Sequence, residues 1–426
     1  MPIPSPFHPL TSAVARSHEW RDWSGRLAAS LYEPSHEHEY YAIRSAAALI
    51  DVSPLFKYEL SGPQALQAAN RIFTRDLTRV AVGQIAYTPW CDDDGKVIDD
   101  GTVWRQAAQR FGITSADPNL AWFQDCCYGL DVRVVDKSDE LAALALQGPL
   151  SRAILERLLQ GIDLAALKYY HFAVAQCPAA GGAFPVTVSR TGYTGDLGYE
   201  LWVEPQDALA LYQALLDAGQ DFGLAPAGML ALDIARIEAG LVMIGVDYQS
   251  ARHALIPGQK SSPFEIGLGK AVDFRKPAFV GRRALWEEQQ RGPEWTLLGV
   301  EVDWPSLEAA FGRWRLSPSL AGRASRSAVP LYEHKGEYSS SSIPEPKRGE
   351  PAPYPSRGRE GKQVGYAVSH TFSPLLKRYI GLATVAADYA RIGRAVQVEV
   401  TIEHTRQAVD ARLVSLPFFN PARKRA

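Results

Sequence analysis

The sequence predicts an α+β fold that gives way, toward the C-terminus, to a β-barrel or sandwich module. Three observations carry this. Strand-like and helix-like stretches mix through residues 40–240, with hairpins in place of strict strand–helix–strand alternation. After about residue 295, short strands follow one another at turn-separated intervals. The 426 residues, 46% hydrophobic and 22% charged, have an ordinary globular composition and length enough for two or three domains.

Residues 36–50, HEHEYYAIRSAAALI, repeat apolar side chains at helical spacing (Tyr41, Ile43, Ala46, Ala47, Leu49, Ile50) and predict an amphipathic helix. FKYELSG at 56–62 alternates like a strand and stops at Ser61-Gly62-Pro63. PQALQAANRIF at 63–73 is helical, with Pro63 at the first helical position. QIAYTPW (84–90), DDDG (92–95) and KVIDDGTVWR (96–105) predict a hairpin around an acidic glycine turn. LAALALQGP (141–149) reads as a strand, SRAILERLL (151–159) as a helix, and FPVTVSR (184–190) as a strand entering the glycine-rich TGYTGDLGYE (191–200). PQDALALYQALLDAG (205–219) is an amphipathic helix expected to end at Gly219.

The later strands are expected at 295–303, 362–370, 379–385 and 395–402, before a final ARLVSLPFF. Between the first two, residues 313–361 are Ser/Pro-rich with little apolar content, which predicts a mobile insertion. The expected division is an N-terminal extension over 1–35, a catalytic region of two subdomains over 36–290, and a C-terminal barrel over 295–426.

Composition also excludes function classes. The net charge of -2 gives no global field for nucleic acid or an acidic membrane, and Arg423, Lys424 and Arg425 read as a solvated tail. Cys91, Cys126, Cys127 and Cys177 have no metal-ligand spacing and no disulfide framework, so reduced thiols and a cytoplasmic location are expected. The opening MPIPSPFHPL has no charged region leading into an apolar run, so no signal peptide is visible, and no apolar run reaches the ~18 residues of a spanning helix. His36 and His38 are two apart and would not share a helix face, and no metal site is expected. Hydrolase and dinucleotide motifs are missing.

Two motifs carry chemistry. In VIDDGTV (97–103), Asp99 and Asp100 sit on a strand with side chains on opposite faces, so one can enter a cleft. There a carboxylate can stabilise a cationic nitrogen or accept a proton; two exposed acids beside a turn are the plainer reading. In SRTGYTGDLGYE (189–200), Gly192, Gly195 and Gly198 permit positive φ or close backbone approach. Tyr193 and Tyr199 offer flat faces for a heteroaromatic ring, and Glu200 can accept paired hydrogen bonds from an aminopyrimidine edge. The plainer reading is a tight turn with core tyrosines.

Taken in order, several segments resemble the glycine-cleavage T-protein (aminomethyltransferase) family. They are AIRSAAALIDVS (42–53), TRDL (74–77), GQIAYTPW (83–90), DDDGKVIDDGTV (92–103), LQGP (146–149), SRTGYTGDLGYEL (189–201), APAGMLALDIARIEAGL (225–241), SPFEIGLGKAV (262–272), FVGRRAL (279–285) and FSPLLKRYIGLA (372–383), with PFF near the end. The resemblance implies three domains around a central folate channel, a C-terminal β-barrel, and tetrahydrofolate as cofactor. It makes Asp100 the acid beside the reactive folate nitrogens and Glu200 the one that binds the pterin edge. Tyr87, Tyr193 and Tyr169 would line the folate site, with Trp104 where the family often carries tyrosine.

The chain departs from the family at Pro54, which stands where histidine usually follows DVS, and at Leu232, where arginine is usual. These departures turn the sequence reading toward a tetrahydrofolate-dependent demethylase acting on a small O-, N- or S-methyl donor. The alternatives are an aminomethyltransferase of glycine cleavage acting on a lipoylated carrier protein, and a non-catalytic folate-binding protein. Nucleic acid and membrane are not expected as partners.

Overall fold

Most of the stretches read from alternation form strands in the computed structural model, which describes residues 1–179, 182–318, 322–334 and 361–425. The chain divides into two units. Residues 1–264, 268–292 and the tail from 419 form the first; residues 265–267 and 293–418 form the second.

The first unit holds two principal sheets. A six-stranded sheet runs in the order Phe172–Cys177, Phe184–Ser189, Gly198–Val203, Ala142–Gln147, Ala47–Asp51, Leu224–Pro226, and only its last pair is parallel. Helices Ser151–Leu158 and Ala208–Gly219 bury Ile154, Leu155, Leu211 and Leu215 in a core shared with Leu144, Leu146, Val186, Val188 and Leu201. A five-stranded antiparallel sheet runs Ile85–Cys91, Val97–Ala107, Arg110–Ser115, Phe56–Ser61, Arg133–Asp136. Helices Ala65–Ile72 and Leu120–Cys126 cover it with Ala68, Ala69, Ile72 and Phe123. The two sheets meet through Trp104, whose ring lies 5.2 Å from Trp202 and 5.1 Å from Phe172.

One expectation is corrected in this unit. The stretch 36–50 is not one helix: Glu37–Ser45 is helical, Ala46 breaks it, and Ala47–Asp51 is a strand. Ala47, Ala48, Leu49 and Ile50 are all buried, and a buried apolar run has no periodicity that separates strand from helix. Helix Ala208–Gly219 ends at the expected glycine, and a 3-10 turn, Gln220–Phe222, follows it to Gly223 at φ 66. Residues 1–35, read as an N-terminal extension, pack on this unit through Phe7, which is fully buried in the core of the six-stranded sheet.

The last residues also return to this unit, so 419–425 do not belong with the barrel. Arg423 donates to both oxygens of Asp196 at 2.6 and 2.8 Å, and the Phe419 ring lies 4.5 Å from the Arg44 guanidinium. The terminal basic run is therefore not simply a solvated tail. Arg44 itself is buried and pairs with Glu238 at 2.6 Å.

The second unit is a closed barrel in the order Trp295–Val302, Arg378–Ala386, Gln363–Ser373, Val329–Glu333, Ala395–Ile402, Thr405–Val414, with the last strand paired back to the first. The closed barrel, not the sandwich, is formed. Val329–Glu333 lies inside the stretch read as a mobile insertion, yet it is a barrel strand whose Leu331 is fully buried. Its VPLYE is too short to stand out from polar surroundings. The remainder of that expectation, 335–360, lies outside the described residues.

Candidate functional site

Strand alternation separates the two adjacent acids. Asp99 is fully buried and accepts from Asp117 N–H at 3.0 Å, Asn119 Nδ2 at 2.9 Å and Asp100 N–H at 2.7 Å. Burial, and then the charge of Asp100, push its carboxyl well above the usual range. Asp99 therefore ties down the 117–119 turn. Asp100, on the other face, is half-buried, and its two oxygens each accept a phenol, Tyr87 on one and Tyr248 on the other. Burial raises its carboxyl as well, while the Tyr248 and Tyr87 hydrogen bonds oppose the rise.

Glu200 lies on Gly198–Val203, half-buried, and accepts from Thr191 Oγ1 at 2.8 Å; Thr191 in turn meets Ser189 at 2.7 Å. Burial raises its carboxyl, against the pull of Thr191. Glu200 is in electrostatic range of Tyr169 and Tyr170, Tyr170 is in range of Tyr87, and Tyr87 donates to Asp100. Tyrosines thus lie within electrostatic range of each of the two carboxylates that the sequence singled out. Tyr193 is half-buried beside them, with its hydroxyl donating to Val242 O, so the ring rather than the hydroxyl is available. Tyr169 packs edge-on against Tyr170 at 4.6 Å. Trp104 is buried, its N–H held by Thr102 at 2.8 Å, so it stands as a wall between the sheets.

Tyr199 does not face this cluster. It is fully buried in the core of the six-stranded sheet, and its hydroxyl meets Arg152 Nε at 3.1 Å. The glycine-rich loop also serves a different purpose from the one expected. A Cβ at Gly192 or Gly198 would fall 2.0 or 2.2 Å from Gln147 Oε1. These glycines make room for buried Gln147, which donates to Thr191 O and Tyr199 O at 3.2 Å and accepts from Thr194 at 3.0 Å. One side chain thereby sets the loop that presents Tyr193 and Thr191.

The residue that sequence reasoning missed is Tyr248. It lies in IGVDYQ, between the recognisable segments, and no periodicity marks it. Asp247 beside it accepts from buried Arg236 at 2.5 Å and from Met243 N–H at 2.9 Å, which fixes the turn and aims Tyr248 at Asp100. Tyr248→Phe removes one of the two donors that favour the charged form of Asp100. The Asp100 carboxyl is then expected to rise further, because one hydrogen bond opposing the effect of burial is lost. Any reaction that needs Asp100 ionised would lose its acidic limb at a higher pH; an unmoved limb would remove Tyr248 from this role. Among the described residues no group of three or more His, Cys, Asp or Glu is placed to hold a metal ion, and the four cysteines are free and buried.

Comparison with known proteins places this geometry. Residues 10–276 match the family described as GCVT N-terminal domain, and residues 347–420 the glycine cleavage T-protein C-terminal barrel domain. An aminomethyltransferase of Halothermothrix orenii is 32% identical over 409 residues, 95% of this chain and 96% of that protein. An aminomethyltransferase of Bacillus subtilis is 30% identical over 386 residues, 89% of this chain and 90% of that one. A trimethylamine-oxide aldolase of Ruegeria pomeroyi is 31% identical over 396 residues, 91% of this chain and 43% of that protein. The crystal structure of glycine cleavage system aminomethyltransferase T from Bartonella henselae has the same fold, with a TM-score of 0.77 at 21% identity over 99% of both chains.

Proposed function

The chain belongs to the glycine cleavage T-protein family, and from that membership we propose a tetrahydrofolate-dependent one-carbon transferase of the aminomethyl type, drawing its carbon from a lipoylated carrier protein. The sequence alone turned toward a demethylase. Relatives named aminomethyltransferase, 30–32% identical over about nine-tenths of the chain, favour the aminomethyl reading instead. The observation that carries the reading is the placement of Asp100 and Glu200, both half-buried, Asp100 accepting from Tyr87 and Glu200 within electrostatic range of Tyr169 and Tyr170.

The residues suit a reduced pterin. A carboxylate has room for about four hydrogen bonds, and Thr191 supplies one to Glu200, which leaves acceptor capacity for an aminopyrimidine edge. The Tyr193 ring is tied back by its hydroxyl and offers a flat face. Tetrahydrofolate supplies the nucleophilic nitrogen to which the carbon is delivered. Asp100, oriented by Tyr87 and Tyr248, whose hydrogen bonds favour its charged form, offsets positive charge that develops beside it. A preorganised charge of this kind in a water-poor site is worth several kcal/mol more than in bulk water.

Glu200→Ala is expected to weaken tetrahydrofolate binding about tenfold or more, the value of a charge-assisted pair, read by calorimetry. Unchanged affinity would remove Glu200 from the pterin edge. The reaction itself is tested by incubating the protein with tetrahydrofolate and either an aminomethyl-loaded lipoylated carrier or small methyl donors, with mass spectrometry of the folate product. The aminomethyl reading expects 5,10-methylene-tetrahydrofolate from the carrier. A 5-methyl product from a small donor would establish the demethylase reading, which Pro54 and the buried Leu232 favour.

A further inference from the structure

Strand Ile85–Cys91 is an edge strand of the five-stranded sheet. Its open side is covered at both ends. Trp90 bridges to Phe73 at one end; at the other, Gln84 bridges to His171 and Ile85 N–H donates to Tyr170 O at 2.8 Å. Arg75 fills the gap between them, its Nε donating to Tyr87 O at 2.9 Å and its backbone N–H to Thr88 Oγ1 at 3.3 Å.

Among the described residues no carboxylate comes within ion-pair distance of the rest of the guanidinium. Asp273, which acts on it electrostatically, is engaged by Arg275 at 2.5 Å and Arg79 at 3.8 Å, and Asp76 caps Thr78. Among the described residues Arg75 forms no ion pair, although it is half-buried. A cation withdrawn from water without a partner is costly, and the fork of an arginine matches a carboxylate in two parallel hydrogen bonds. Arg75 also interacts electrostatically with Tyr170. Tyr170 holds a left-handed backbone at φ 59, uncommon for a bulky aromatic residue, and strain of that kind gathers at ligand sites. Tyr170 is in electrostatic range of both Glu200 and Tyr87, and Tyr87 donates to Asp100.

We propose that Arg75 is a carboxylate-binding residue of this site, taking a carboxylate of the bound ligand on its terminal guanidinium nitrogens beside Tyr87, the donor to Asp100. The proposal rests on the folate reading. Two ligands carry that chemistry: the glutamate tail of tetrahydrofolate, and a small donor that is itself an acid. Three probes separate them. Tetrahydrofolate has the tail, 6-methyltetrahydropterin has the same ring and no carboxylate, and N,N-dimethylglycine is a small methylated acid.

Calorimetry on the full-length protein, the Arg75→Gln variant and the Arg75→Lys variant reads the result. If Arg75 takes the tail, Arg75→Gln binds tetrahydrofolate about tenfold more weakly and 6-methyltetrahydropterin as before, and Arg75→Lys falls between. If it takes a donor acid, Arg75→Gln loses the heat of N,N-dimethylglycine binding, measured with and without tetrahydrofolate, and keeps both pterins. Equal binding of all three probes by variant and parent would overturn the proposal. So would an equal loss for both pterins, which would mean that Arg75 only supports the edge strand. A parent protein that binds neither pterin would sink the folate reading instead, while the dimethylglycine arm would still report on Arg75.

Discussion

Asp100→Asn should lower turnover by about a hundred- to a thousandfold while changing tetrahydrofolate affinity less than threefold. The size is that of removing one preorganised electrostatic group from a reacting centre. The substitution keeps the shape and removes the charge. It also breaks the local logic, because both oxygens of Asp100 accept phenols, from Tyr87 and Tyr248, and the amide nitrogen of asparagine would face one of those donors. Glu200, on the other sheet, keeps its Thr191 partner and, with it, the proposed contact with the pterin edge. Loss in the rate with retention in binding is the signature of a group that acts on the transition state. Single-turnover rates set beside calorimetric affinities provide the check. Turnover within threefold of the parent would remove Asp100 from the chemistry.

Arg44→Met should destabilise the first unit by about 3–5 kcal/mol, the usual cost of breaking a buried ion pair from one side. Arg44 donates to Glu238 through Nε at 2.9 Å and Nη2 at 2.6 Å, to Thr194 O at 2.9 Å and to Ala235 O at 3.0 Å, and lies 3.6 Å from Asp196. Glu238 also accepts from Tyr40 at 2.6 Å, and Arg423 holds Asp196 from the C-terminal tail. Removing the guanidinium strands Glu238, which has no exposure, in a dry interior. Thermal unfolding should show a fall of roughly 5–15 °C. The Arg44→Met, Glu238→Leu double variant should recover part of that loss, since the unpaired charge rather than the missing contact is the main cost. A double variant no more stable than Arg44→Met would refute that account.

The functional residues differ in how legible they were. Asp100 and Glu200 stood out because each sits in a short motif, IDDG or TGYTGDLGYE, whose order along the chain has a family resemblance. Which of two adjacent acids enters the site follows from strand alternation once the strand's facing is known; the pattern alone predicts only that they part. Tyr199 was read with Tyr193 as a ring-facing pair, but strand Gly198–Val203 turns it into the core. Gly192 and Gly198 looked like devices for ligand approach, and the close neighbour is Gln147. Tyr248 and Arg75 carried no local sign, since neither a lone tyrosine nor a lone arginine announces what lies across from it.

By itself the sequence determined the strand and helix inventory of most of the chain and the barrel strands on either side of residue 329, and through a family resemblance it singled out the two acids of the proposed folate site. The inventory follows from local spacing, which neighbours in the chain already specify. Tertiary structure alone decided that Tyr248 reaches Asp100 across 148 positions, that Arg44 meets Glu238 across 194, and that the tail from Phe419 closes onto the first unit. Such contacts are decided by which surfaces the fold brings together, and a side chain acquires its partner, its charge state and its chemistry only when they do.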